Sequence, residues 1–286
     1  MKTALLIAVS AAGLTTALPA AAQSVEIREA VARVVVIPED RTDVAVEIEA
    51  GRSGLPAPRV ERRGDDVRIL GELGRNAVRN CRSGDAEARQ PGQGASVEMR
   101  GQGRIAMADA PLIVVRTPRD VDVSAGGAVF GSVGRGARSL ELGSAGCGGW
   151  TVANVDGPVS LNVGGSGSIR AGTSSALSVN VGGSGSIRAG ATRGLEANIG
   201  GSGSVLVASV TGDVETAIGG SGGVRIGGGR IGRLSAAVAG SGSVDADAPV
   251  GDVSASIVGS GSVRVASVSG NLSQNRMGSG RVIVGR

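Results

Sequence analysis

Apolar and polar positions alternate with a period of two along most of this chain. In Leu177–Gly190, residues 177, 179, 181, 187 and 189 are apolar, whereas 178, 180, 184, 186 and 188 are Ser, Asn, Ser, Ser and Arg. Successive strand residues point to opposite faces, so the pattern predicts strands with one buried side. A Gly-Ser-Gly triplet breaks each unit and recurs at 165–167, 183–185, 201–203, 220–222, 240–242, 259–261 and 278–280. Successive copies start 18, 18, 19, 20, 19 and 19 residues apart. Degenerate copies extend the series back to Ser144-Ala-Gly146 and Ala125-Gly-Gly127. Self-similarity at a short fixed period marks a solenoid in which each copy stacks on the next. Links such as Thr211-Gly-Asp213, Val250-Gly-Asp252 and Val268-Ser-Gly270 are turns too short to hold a helix.

Stacked parallel coils place equivalent residues about 4.8 Å apart. One apolar column is then expected from Val181, Ile199, Ile218, Val238 and Ile257. A second runs through Ile169, Ile187, Val205, Val224, Val244, Val263 and Val282. On the outer side the spacing aligns Ser166, Ser184, Ser202, Ser221, Ser241, Ser260 and Ser279, with a neighbouring Ser column at 168, 186, 204, 243 and 262. Beside them run Arg170, Arg188, Leu206, Arg225, Asp245 and Arg264. Eight steps at that spacing make a rod roughly 38 Å long. In the last unit Arg276 falls on the buried column and Arg281 replaces a Ser, the polar finish that stops a solenoid from stacking further.

The expected fold is all-β: a single-stranded parallel β-helix of about 19-residue coils over 121–286, preceded by a β-rich capping region over 23–120. In that region Val34–Ile37 and Val44–Ile48 read as strands, and Val60–Leu70 reads as a hairpin turning at Arg62-Arg-Gly-Asp-Asp66. Residues 71–103, rich in Gly and Arg, read as a long loop. Ile105–Ala108 and Leu112–Arg116 return to strand.

Composition changes this picture in three places. Residues 1–22 have a secretory signal's form: Lys2, an apolar stretch over Ala4–Leu14, and Ala20-Ala-Ala22 before Gln23. No second apolar segment of spanning length follows, so the mature chain is expected to carry no transmembrane segment. From Gln23 onward 28 Arg face 25 acidic residues, with no Lys, His or Tyr. That near balance, with almost no aromatic rings for base stacking, argues against a nucleic-acid partner. Cys81 and Cys147 are the only cysteines; in an exported chain an even count favours a disulfide.

The Leu-x-Val-x-x-Ser-Gly-Ser-Val-like units, with the β-rich segments Val34–Ile37, Val44–Ile48 and Gly64–Ile69 before them, resemble the bacterial auto-transporter adhesin head GIN domain family. That resemblance implies a right-handed parallel β-helix exported to the periplasm or cell surface of a Gram-negative bacterium. It brings no catalytic or ligand residues. Only eight residues follow Gly278, so no membrane barrel is expected after the repeats.

Several chemistries fit poorly. Gly182-Gly-Ser-Gly-Ser186 matches the start of a calcium nonapeptide, but Ile or Val stands where the ligating Asp belongs. No Lys follows the glycines and no helix starts there, so a phosphate loop is equally poor. No cofactor or metal is expected. A β-helix enzyme would draw on pairs such as Asp245 with Asp247 or Asp213 with Glu215, which lack the opposed geometry of a glycosidase pair. Asp213 and Asp252 also sit in Gly-Asp turns that account for them. Trp150 is the single candidate for stacking on a sugar, lying off the regular ladder.

The function expected from the residues is that of an exported, non-enzymatic, adhesin-like structural or binding protein. Its binding face would be Ser166, Ser184, Ser202, Ser221, Ser241 and Ser260 with Arg170, Arg188, Arg225 and Arg264. The partner would be a surface glycan, an anionic polymer or an envelope protein. The alternatives are a polysaccharide-degrading β-helix enzyme and a periplasmic scaffold acting through a coil end.

Overall fold

The structure is a computed structural model describing residues 23–74, 76–84 and 90–285; the signal-like segment lies outside them. Strand accounts for 65% of the described residues, in parallel coils of about 19 residues stacked through roughly nine turns. Each coil contributes one strand to each of two parallel sheets, with the Gly-Ser-Gly corner between them. In the coil that contains the corner at 183–185, these strands are Ala176–Val181 and Ser186–Thr192.

Both expected columns exist in register. Val181 pairs with Ile199, and the series continues through Ile218, Val238 and Ile257 to Arg276. The second column runs without a break from Ile169 to Val282. Side chains of these columns are at most 2% exposed as far as Ile257 and Val263. Each fully buried Val or Ile contributes about 1.5–3 kcal/mol. Two short interior series lie on the return side: Thr192 pairs with Val210, whose next partner is Gly229, and Ile231, Val250 and Val268 pair in turn.

Close approach of successive corners explains one column of glycines. A Cβ on Gly201 would lie 2.5 Å from the carbonyl oxygen of Gly183 in the coil before. No side chain fits there, because that carbonyl accepts the N–H of Ser202 at 3.1 Å.

Three expectations need correction. First, the solenoid begins at Ser24 and not at Val121. The long strand β1 (Ser24–Pro38) already carries both sides of a coil, bending where Glu29 adopts φ 48°. It pairs in parallel with a strand almost a hundred residues later, which spans Asp120–Val133. After β1 the chain adds β2 (Ala45–Glu49) and then the hairpin of β3 (Arg59–Arg63) and β4 (Asp66–Leu70), as the turn residues predicted.

Second, residues 71–103 are not a loop. They hold β5 (Val78–Arg82) and β6 (Ser96–Met99), which form an antiparallel three-stranded sheet with β7 (Gly103–Ala106). Next comes β8 (Leu112–Thr117). Because β4 and β8 both pair in parallel with β1, one on each sheet, they are the two sides of a further coil. The small sheet is therefore inserted at that coil's corner. At this end of the rod β3 and β2 close the two parallel sheets as antiparallel edge strands.

Third, the degenerate corners lie two residues later than the Ser144-Ala-Gly146 and Ala125-Gly-Gly127 matches suggested, and so keep the 19-residue spacing. The N–H of Ser166 donates to Gly146, and that of Ser184 to Gly165. Gly146-Cys147-Gly148 is thus the equivalent of Gly165-Ser166-Gly167, and Ala128 precedes Cys147 in the same column, since Cys147 N–H donates to Gly127.

Candidate functional site

The Ser corner column is exposed from Ser166 to Ser260. Backbone N–H groups of these serines are used along the stack, as in Ser184 to Gly165 and Ser241 to Gly220. From Ser166 to Ser241 their hydroxyls are not. Among the described residues the one side-chain bond within the column is Ser279 to Ser260, at 3.1 Å. A ladder whose hydroxyls are not spent on each other presents donors and acceptors at a regular spacing of about 4.8 Å.

The Arg column lies on the outer side of the adjoining sheet. Arg170 pairs with Arg188 in register, then come Leu206, Arg225, Asp245 and Arg264. Its members differ in what they touch. Arg225 is held by Asp247 at 2.8 Å, and Arg264 lies 3.8 Å from Asp245. Among the described residues the side chains of Arg170 and Arg188 have neither hydrogen bond nor ion pair. The two carboxylates considered for catalysis on that face are therefore counter-ions. Asp213 and Asp252 serve the turns, accepting the N–H of Arg233 at 2.9 Å and of Asn271 at 2.8 Å.

The small sheet covers the head of this same face. Phe130, Gly149, Ser168 and Ser186 share one outward register position on successive coils. Phe130 is 5% exposed because Val97, Met99, Ile105 and Met107 pack over it, forming a second apolar core outside the solenoid with Val31 and Ala128. The Cys81–Cys147 disulfide (Cα–Cα 5.8 Å) ties β5 to the solenoid corner. Gln90–Gln93, in the connection between β5 and β6, line a cleft of about 340 Å³ together with Thr151, Ser168, Arg170, Ser186 and Arg188 of the solenoid.

Trp150 is not the exposed ring the sequence suggested. It is 2% exposed and pairs with Ile169, so it belongs to the second interior column. Its six-membered ring fills the space beside Gly131, where a Cβ would collide with it. The narrow coil admits one indole because the preceding coil has no side chain at that point. Among the described residues its Nε1 has no hydrogen-bond partner.

The other sheet has a different outer face. Asn180 donates to Asn162 at 2.9 Å and Asn198 to Asn180 at 3.2 Å, forming an amide ladder. The alternating pattern placed these residues outward, but a repeat of three gave too short a signal to single them out. Asp122 and Glu141 pair across coils in a neighbouring column. Burial, together with the Glu141 and Asp66 charges, raises the Asp122 carboxyl above its ordinary value. Nearby, Asp120 is lowered, chiefly by its hydrogen bond from Arg138. Among the described residues no group of three metal-ligating side chains comes together, and no helix is long and apolar enough to cross a membrane.

The geometry defines a parallel β-solenoid with a disulfide-tethered sheet over one face and an uncovered Ser/Arg surface beyond it. No family model matches the chain, and no curated protein matches it. Among solved structures it is similar to a "Putative lipid binding protein from Parabacteroides distasonis ATCC 8503". That likeness has 15% identity and a TM-score of 0.40, over 93% of each chain.

Proposed function

We propose that this chain is an exported, non-enzymatic binding protein of adhesin-like type, and that it recognises its partner through the Ser/Arg face. The observation that carries this reading is the exposed corner column Ser166–Ser260, whose hydroxyls are held at regular spacing by a rigid backbone and left unbonded to one another. A disulfide between distant cysteines supports export, since such bonds persist in oxidising compartments. The assignment of Asp245, Asp247, Asp213 and Asp252 to ion pairs and turns supports a role other than hydrolysis. The partner classes that suit hydroxyls beside guanidinium groups are a surface glycan, an anionic polymer or an acidic patch of an envelope protein.

Removing two hydroxyls tests this. The Ser184→Ala, Ser202→Ala double variant keeps its backbone ladder and is expected to fold normally while attaching several-fold less to cells or immobilised glycans. Equal attachment by the variant and the parent would sink the proposal. So would the appearance of reducing ends or unsaturated products when purified protein is incubated with a glycan panel.

A further inference from the structure

The Arg column contains an imbalance that the repeat does not require. Four of its positions are Arg, and the two farther from the small sheet are each matched by an Asp of the same face. Arg170 and Arg188 are adjacent and in register, so their backbones are about 4.8 Å apart and like charges stand side by side. Like charges directly opposite one another on neighbouring strands are destabilising. Among the described residues no carboxylate offsets this pair, and the column's next member is Leu206, which carries no charge. These unmatched cations are the two that line the cleft.

Around them the cleft mixes hydroxyl and amide groups with apolar surface from Pro91 and Phe130. Ser168 and Ser186 stand two residues before Arg170 and Arg188, on the same strand faces, and Gln93 lines the cleft from the β5–β6 connection. A volume of about 340 Å³ is at the small end of the range typical of ligand pockets, about 300–1,000 Å³. Two planar guanidinium groups can each form paired hydrogen bonds with one oxyanion, and the bond is stronger for being charged. The hydroxyls and amide suit the neutral, hydroxylated remainder of a ligand.

We infer that the cleft between the β5–β6 connection and the coils bearing Arg170 and Arg188 is a subsite for an acidic saccharide unit, its carboxylate held by the two arginines and its hydroxyls by Ser168, Ser186 and Gln93. This deepens the binding role proposed above and rests on it. Gln90–Gln93 of the β5–β6 connection line the cleft beside the coils, and the open Ser/Arg face continues from it along the rod, so a longer acidic glycan would enter the cleft with one end and lie along the corner serines.

Calorimetric titration of the full chain with trigalacturonate, its methyl ester and sodium sulfate tests the inference. Trigalacturonate should bind, with the ester and the Arg170→Gln, Arg188→Gln variant each about tenfold weaker, as expected for lost charge-assisted hydrogen bonds. An Arg193→Gln, Arg230→Gln variant, altered at exposed turn residues outside the cleft, should bind like the parent. Equal binding by the parent and the Arg170→Gln, Arg188→Gln variant overturns the cleft. If that result comes with weakened binding in an Arg225→Gln, Arg264→Gln variant, the general face survives without it. Sulfate binding as tightly as trigalacturonate overturns the saccharide assignment, as does no binding by trigalacturonate at all. Cleavage of a bound oligosaccharide keeps the cleft and overturns the non-enzymatic reading.

Discussion

Two regions of one face invite comparison: the coils beneath the small sheet and the coils beyond it. The corner position is Ala128, then Cys147, then Ser166, Ser184 and Ser202. The neighbouring outward position is Phe130, Gly149, Ser168 and Ser186. Backbone register is the same throughout. What differs is the covering layer. Under it, outward positions become apolar and join a second core; beyond it, they become small and hydroxylated. A solenoid position therefore specifies direction, not chemistry. The chemistry follows from what lies above the face, since an outward apolar ring is tolerated where another layer removes it from water.

The largest expected effect that would break this comparison comes from the disulfide. It closes 66 residues, and removing it with Cys81→Ser and Cys147→Ser should cost about 4 kcal/mol on the chain-entropy account. In hydrogen exchange, amides of β5–β7 should lose protection before those of the coils from 158 onward. Simultaneous loss in both would show that the two regions are one cooperative unit.

Next in size is Phe130→Ala, which empties the centre of the outer core at a cost of about 3 kcal/mol. Fluorescence of the single tryptophan, buried in the solenoid interior, should still report a cooperative transition close to the parent's, while β5–β7 opens. A matching fall in the Trp150 transition would contradict the separation of the two cores.

The smallest effect concerns the crowded acids of the opposite sheet. Because Asp122 is raised above its ordinary carboxyl value of 3.8, its ionisation opposes folding, and that cost is absent below the unfolded value and appears as pH rises through the folded one. Asp122→Asn should therefore stabilise at neutral pH by a few tenths of a kcal/mol after solvent screening, with the gain fading in acid. Asp120 has the opposite sign. Its folded value is lowered from 3.8, so its contribution is present above the unfolded value and disappears as pH falls through the folded one. Asp120→Asn should lower the melting temperature at neutral pH and make no difference in strong acid. Thermal melts of both variants from neutral pH downward check the signs.

Much of the repeat region was legible because each coil repeats the same local instruction. Period two defines the buried side, glycine marks the place where successive corners touch, and the 18–20-residue step aligns them. The return-side interior positions escaped notice because Thr192, Val210 and Ile231 stand singly among polar turns. Trp150 was misplaced because its lodging depends on Gly131, a residue of the preceding coil. The short strands β5 and β6 were hidden by their Arg-rich surroundings; one of their faces is buried only by Phe130 and its neighbours.

By itself, the sequence determined the parallel stacking, the two main apolar columns, the outward Ser and Arg columns and the polar last coil. These follow from local periodicity, which a stack of identical units converts directly into contacts. Only the tertiary structure decided where the solenoid starts, what becomes of the inserted segment and which arginines keep a counter-ion. Those depend on the pairing of β1 with a strand almost a hundred residues later and on a small sheet folding back over the first coils. No local pattern encodes contacts made across that much chain.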